Sequence, residues 1–268
     1  MEIQADLSLC LLHHPSAGAG LLSGFLESLY THAEPVSFEV IVVADGLSQE
    51  LAAVEREFPD LVILESPGNQ AGPSALNHAL RLASGRYLSL WQEGLRFRSG
   101  TLPGLLAFLE ENPEAGLVAP RIVAADGKVV PSVRTVPSLA DLCLLHTPLG
   151  RFLPGQGLLR AHLLGNRDHL QDFEAEWLLA EALVLRREVV EELGLFDEGF
   201  HLLYADADYC LRARQAGWHL HYLAGAVVCQ ERAPSSPPKA GRHQGRVLGD
   251  CTRFLLKKWL RPAQLPEG

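Results

Sequence analysis

Four short apolar runs, each separated from the next by a segment of helical period, constrain this chain more than any other feature. They are Leu7–Leu12, Phe38–Ala44, Leu61–Leu64 and Tyr87–Trp91. Phe38–Ala44 (FEVIVVA) is apolar at almost every position, as a parallel strand covered on both faces requires. Between the runs, Leu21–Tyr30, Gln49–Phe58 and Ser74–Ala83 place apolar residues at helical spacing. Such alternation predicts an α/β fold: a doubly wound, mostly parallel sheet flanked by helices, with right-handed crossovers. Ligands of these sheets bind at the carboxyl ends of the strands, so His13, Asp45 and Glu93, each just past a strand, fall at the predicted site edge. No GxGxxG follows the first strand, which argues against a dinucleotide fold.

Further along, the pattern predicts a helix over Leu102–Glu111, a strand over Gly116–Val123 and a turn at Ala125–Gly127. Pro131–Asn166 shows no period and reads as a loop-rich, partner-facing insert. Trp177–Arg186 reads as one strand and Arg187–Leu193 as a helix stopped by Gly194. His219–Leu223 and Ala226–Cys229 read as two short strands, Glu231–Gly241 as a Pro/Ser-rich linker, and Arg246–Leu260 as a basic helix. Residues 1–230 are expected to form one domain, with 231–268 as linker and terminal helix.

A formal charge of −9 excludes a general nucleic-acid binder. The charge is uneven, because from Lys239 to Arg261 seven basic residues face one acid, Asp250. The terminal helix thus has two readings. Its basic side and Leu248, Phe254, Leu255, Trp259 and Leu260 suit a peripheral contact with an anionic membrane; alternatively, the apolar residues dock on the core and the lysines are solvated. The five cysteines form no C-x-x-C pair, as expected of reduced thiols and not of a zinc site. No apolar run reaches the ~20 residues of a membrane span, and no basic leader precedes the first strand. An intracellular protein is expected, cytoplasmic or peripheral at the inner face of the membrane. Oligomeric state is not legible.

His201–Trp218 (HLLYADADYCLRARQAGW) places Asp206 and Asp208 at the mouth of a predicted helix that ends at Gly217. Carboxylates there face the positive end of the helix dipole. Asp206 could cap the helix or act as a general base; Asp208 sits four residues from Arg212, at ion-pair spacing.

FEVIVVADG, NQAGPSALNHALRLASGRYLSL and LRREVVEELGLFDEGFHLLYADADYCLRARQAGW together resemble the family 2 glycosyltransferases, in particular their rhamnosyltransferase-like branch. The resemblance spans Leu7 to about Trp259. It implies a GT-A fold, with residues 1–100 as the nucleotide-sugar half and 101–230 as the acceptor half. It implies transfer, with inversion, of a hexose or deoxyhexose from a nucleoside-diphosphate sugar to a glycan or lipid-linked acceptor, in polysaccharide biosynthesis. On that resemblance Asp206 is the base; His13, Asp45, Asn77 and Glu93 meet the donor; Trp177 and Asp208 meet the acceptor. Glu93 is also the residue left to meet a Mg²⁺ or Mn²⁺ ion. The chain departs from the family pattern at several points. Ala44-Asp45-Gly46-Leu47 stands where D-N-G-S is usual, and Trp91-Gln92-Glu93 stands where N-P-D or D-x-D is usual. Ala205 replaces a Glu, and Cys229-Gln230 falls where a metal-binding His is common. These departures leave a second expectation open, that of a catalytically silent relative binding a nucleotide, glycan or protein.

Overall fold

The computed structural model describes residues 5–13, 19–46, 48–66, 72–146, 162, 164, 167–201, 203–231 and 244–260. The element order is β1 (Leu7–His13), α1 (Ala19–His32), β2 (Phe38–Ala44), α2 (Gln49–Glu57), β3 (Leu61–Glu65), α3 (Pro73–Leu82), β4 (Tyr87–Gln92) and β5 (Leu95–Phe97). It continues with α4 (Thr101–Glu111), β6 (Ala115–Ala124), β7 (Val129–Val130), β8 (Val133–Arg134), α5 (Leu139–His146), β9 (Phe173–Glu174), β10 (Trp177–Leu178) and β11 (Ala182–Arg186). The last elements are α6 (Arg187–Leu193), α7 (Ala205–Gln215), β12 (His219–Gln230) and α8 (Gln244–Leu260).

The main sheet runs β3-β2-β1-β4-β11-β6-β12-β5, with β7 added to β6 and β9 to β12. Strands β3, β2, β1 and β4 are mutually parallel, and β11 inserts antiparallel between β4 and β6. Each face carries its own apolar layer. One packs Leu22 and Phe25 of α1, Leu51 and Val54 of α2 and Leu105 of α4 against the sheet. The other packs Ala75 and Ala79 of α3, Val189 of α6, Ala207 and Tyr209 of α7 and Phe254 of α8. This is the expected doubly wound architecture, and burial on both faces explains why the first strands read as unbroken apolar runs.

Local chemistry sets the helix boundaries. The Ser48 hydroxyl accepts the Leu51 N–H at 3.0 Å and caps α2. Helix α7 ends in a Schellman motif: Trp218 N–H reaches Ala213 O at 3.0 Å, Gly217 N–H reaches Arg214 O at 3.1 Å, and Gly217 adopts φ +94°.

Three expectations need correction. Trp177–Arg186 is two strands, because Trp177–Leu178 pairs with β8 in a separate two-stranded sheet while Ala182–Arg186 enters the main sheet. The pairs at 219–223 and 226–229 are one strand, β12, with a register shift between Leu223 and Val227 that mimics a break in the pattern. The insert Pro131–Asn166 contains β8 and α5, both too short to show a period. The remainder of that insert, 147–161 with 163, 165 and 166, lies outside the described residues, as does nearly all of the expected linker.

Candidate active site

Because β1, β2 and β4 are parallel, their carboxyl ends share one edge, and β11 begins there because it runs the opposite way. The edge is assembled by a chain of contacts. Asp45 N–H donates to His13 O at 3.2 Å, and His13 Nδ1 lies 2.7 Å from Glu93 Oε2. Gln92 N–H donates to Glu181 O at 2.8 Å, and Ala180 N–H donates to Asp206 Oδ2 at 3.3 Å. His13, Asp45, Glu93, Glu181 and Asp206 are thereby brought to one side of the sheet from five different elements or loops.

Asp206 occupies the first turn of α7, but it is not the cap. The cap position is Tyr204, in the left-handed region at φ 67°, and it offers no side-chain cap hydrogen bond. A non-glycine residue at positive φ costs free energy and persists only where its surroundings hold it. Tyr204 is held by its ring, 5.8 Å from Trp177 and 5.6 Å from Phe254. The preceding loop is held by Asp250 of α8, whose carboxylate accepts the N–H groups of His201 at 3.0 Å and Leu203 at 2.9 Å. This geometry aims the Asp206 carboxylate at the strand edge, where Oδ1 also accepts the Ala207 N–H at 2.9 Å. Burial pushes its carboxyl up; the two backbone N–H groups, Trp177 and Arg134 oppose that without overcoming it. Asp206 is a half-buried residue whose densely surrounded carboxylate has raised proton affinity.

Asp208 has a structural partner set. It is 2% exposed, with Arg212 Nε at 3.1 Å and Lys257 Nζ at 2.6 Å. The spacing of four residues foretold the first pair, whereas the second comes from the distant C-terminal helix. Asn77, expected at the donor, is buried against the GLFDEGF segment. Its amide donates to Phe196 O and Glu198 Oε1, both at 2.9 Å, and accepts the Phe196 N–H at 3.0 Å. Trp177 is 3% exposed and packs in the core beside Tyr204, and Arg134 lies over its ring at 5.3 Å. His13 is 3% exposed, and its Nε2 has no hydrogen-bond partner among the described residues. Asp45 precedes Gly46, whose φ of 89° is what the Asp-Gly turn needs.

Sequence reasoning missed Glu181, which lies inside the run Trp177–Arg186 read as one strand. Its signal was present: a lone acid in WLLAEALVLR. Asp250 was likewise counted only as the single acid of a basic helix. That helix is less free than its composition implied. Arg253 and Lys257 pair with Asp197 at 2.7 and 2.8 Å, and Lys258 donates to Pro137 O at 3.0 Å. Phe254 is buried and Leu255 packs on the core, while Leu248, Trp259 and Leu260 are exposed. The basic residues Lys239, Arg242 and Arg261 lie outside the described residues.

Among the described residues, the donors do not fit a divalent cation. Glu93 already engages His13, and Cys229, where the family often has a histidine, takes a hydrogen bond from Arg98 Nε at 3.0 Å. Among the described residues no group of three His, Cys, Asp or Glu could hold a metal ion. Nor is any described helix long and apolar enough to cross a membrane.

Comparison with known proteins agrees with this architecture. Two solved structures share the fold. One is the mannosyltransferase PcManGT from Pyrobaculum calidifontis, in complex with GDP-Man and Mn²⁺. It has a TM-score of 0.61 and 18% identity over 98% of this chain and 66% of that one. The other is GalNAc-T7 with UDP, GalNAc and Mn²⁺, at a TM-score of 0.68 and 15% identity over 95% of this chain. The chain spans 49% of the length of GalNAc-T7. Two curated relatives from Mycobacterium tuberculosis, strains CDC 1551 / Oshkosh and H37Rv, are N-acetylglucosaminyl-diphospho-decaprenol L-rhamnosyltransferases. Each is 29% identical over 239 residues, covering 83% of this chain and 75% of the relative. The model of glycosyl transferase family 2 matches residues 19–159, more than half of the chain and every element from α1 to α5. By that match, and with the GT-A architecture of its sheet, the chain belongs to glycosyl transferase family 2.

Proposed function

We propose that the protein transfers a hexose or deoxyhexose, with inversion, from a nucleoside-diphosphate sugar to a hydroxyl of a glycan or lipid-linked acceptor, as a step in polysaccharide assembly. Residues 1–100 would hold the donor and 101–230 the acceptor. The observation that carries this is Asp206: a half-buried carboxylate of raised proton affinity, bonded to the backbone at the carboxyl edge of the sheet in a family 2 member. In the reaction Asp206 takes the acceptor proton as the acceptor oxygen bonds to the anomeric carbon and the bond to the diphosphate breaks. His13, Asp45 and Glu93 line the donor side and Trp177 walls the acceptor side. The rhamnosyltransferase name of the curated relatives favours a deoxyhexose donor and a lipid-linked acceptor. Exposed Leu248, Trp259 and Leu260 on α8 suit peripheral contact with the membrane that carries such an acceptor.

The second reading, a silent relative that binds nucleotide or glycan, is favoured by the His13–Glu93 tie, which occupies the one acid left at the usual metal position. Thermal shift with UDP, dTDP and GDP sugars, with and without Mn²⁺, tests donor binding. A ligand at a hundred times its dissociation constant should stabilise by about 2.7 kcal/mol. Binding without turnover in wild type, or turnover undiminished in Asp206→Asn, would reject Asp206 as the base.

A further inference from the structure

Glu181 stands between the two halves of the site edge. Its carbonyl accepts the N–H of Gln92 at 2.8 Å, one residue from Glu93. The N–H of its other neighbour, Ala180, donates to Asp206 at 3.3 Å. Ala182, next along, is in register with Trp91. The backbone of Glu181 is thus fixed on both sides, and the residue as a whole is half-buried. Its charged neighbours are the Arg134 guanidinium, from β8, and the Asp206 carboxylate, from α7. Asp206 faces that same Arg134. Arg134 thus acts electrostatically on both carboxyls, and its Nε has no hydrogen-bond partner among the described residues. A second observation lies in the same cluster. Trp177 is 3% exposed, and its indole N–H turns toward Asp206 without closing a well-formed hydrogen bond.

We propose that Glu181 is a second carboxyl of the transfer site, a positioning residue that sets the basicity of Asp206 through space. This rests on Asp206 serving as the base. A like charge beside a carboxylate disfavours its ionised form and so strengthens it as a proton acceptor, while Arg134 acts in the opposite sense. Burial, opposed by Arg134 and reinforced by Asp206, raises the Glu181 carboxyl to about 7, so its charge changes near neutral pH. Tyr204 and Cys210, the other titratable groups that sense Asp206, are both raised by burial and stay neutral there. Glu181 neither gains nor loses a proton in the transfer step; the acceptor proton goes to Asp206.

Carboxyl carbon NMR titrations of wild type, Glu181→Gln and Asp206→Asn, without substrate, test this directly. Each substitution should lower the titration midpoint of the other carboxyl by about one pH unit. Midpoints that do not move overturn the proposal. If Glu181→Gln does not fold, the Glu181 resonance followed in Asp206→Asn decides alone. In transfer assays Glu181→Gln should move the acid limb of the kcat profile to lower pH, with Glu181→Asp restoring it. A purely structural role would scale the profile without displacing it. Failure of the general-base reading looks different: transfer survives Asp206→Asn while the reciprocal midpoint shifts remain.

Discussion

Asp250→Ala removes the carboxylate that holds the entry to α7. Asp250 is 1% exposed, and its two oxygens accept the His201 and Leu203 N–H groups at 3.0 and 2.9 Å. A hydrogen bond to a charged group contributes about 1.5–3 kcal/mol; because His201 is exposed, the low end applies, so the pair accounts for about 3 kcal/mol. The neighbouring His201 imidazole at 3.5 Å is more than half exposed and adds little. At roughly 2–4 °C per kcal/mol for a chain of this size, the melting temperature should fall by about 6–12 °C. The loop carries more of the loss than the rest of the chain, since Tyr204 at φ 67° depends on its surroundings. Guanidinium unfolding gives the global cost, and amide exchange over 201–208 reports the local one. In a transfer assay kcat should drop by about tenfold to a hundredfold with little change in KM, as expected when a base is misplaced and not removed. A cost under about 0.5 kcal/mol, or exchange that quickens uniformly across the chain, refutes the reasoning that α8 positions the site.

Four further outcomes follow from the same contacts. Lys257→Ala leaves Asp208 and Asp197 each one partner short and should cost about 1–2 kcal/mol, read from the denaturation midpoint. Acid titration should find a loss of stability below about pH 4. Burial alone would raise the Asp197 carboxyl, but Arg253 and Lys257 outweigh it and hold the group well below the usual carboxylate range. The stability this confers is present above the unfolded pKa and disappears as pH falls toward the folded one; Asp197→Asn should abolish that dependence. Glu181 has the opposite sign. With its carboxyl raised to about 7, the folded state binds its proton more tightly, so wild type should lose about 1–2 kcal/mol between pH 5 and 8, and Glu181→Gln should not. Finally, Trp259→Glu should weaken flotation with anionic vesicles without changing the melting temperature, because Trp259 is 65% exposed; equal flotation of both proteins removes α8 as the membrane contact.

The chain by itself determined what depends on near neighbours. Period along the chain reports which faces are buried, so β1, β2, α2, α6 and the helix after Tyr204 could be placed to within a residue or two. The spacing of Asp208 and Arg212 announced their pair, and Gly217 announced the end of α7, because both are one-turn geometries. The carboxyl-edge rule puts His13, Asp45 and Glu93 on one side of the sheet from the strand pattern alone. Tertiary structure decided the rest, because those decisions join residues far apart. The Ala180 N–H finds its partner in the Asp206 carboxylate, 26 residues on; pairing with β8 on one side and β4 on the other divides the Trp177–Arg186 run and leaves Glu181 beside that contact. Asn77 ties α3 to the GLFDEGF segment for the same reason, its partners lying 119 and 121 residues away. Composition marked α8 as basic, but only packing could show that Arg253 and Lys257 neutralise buried-side acids while Asp250 reaches back to the loop before α7. Local sequence carries no record of such partners, since a charge reads the same whether water or a distant carboxylate answers it.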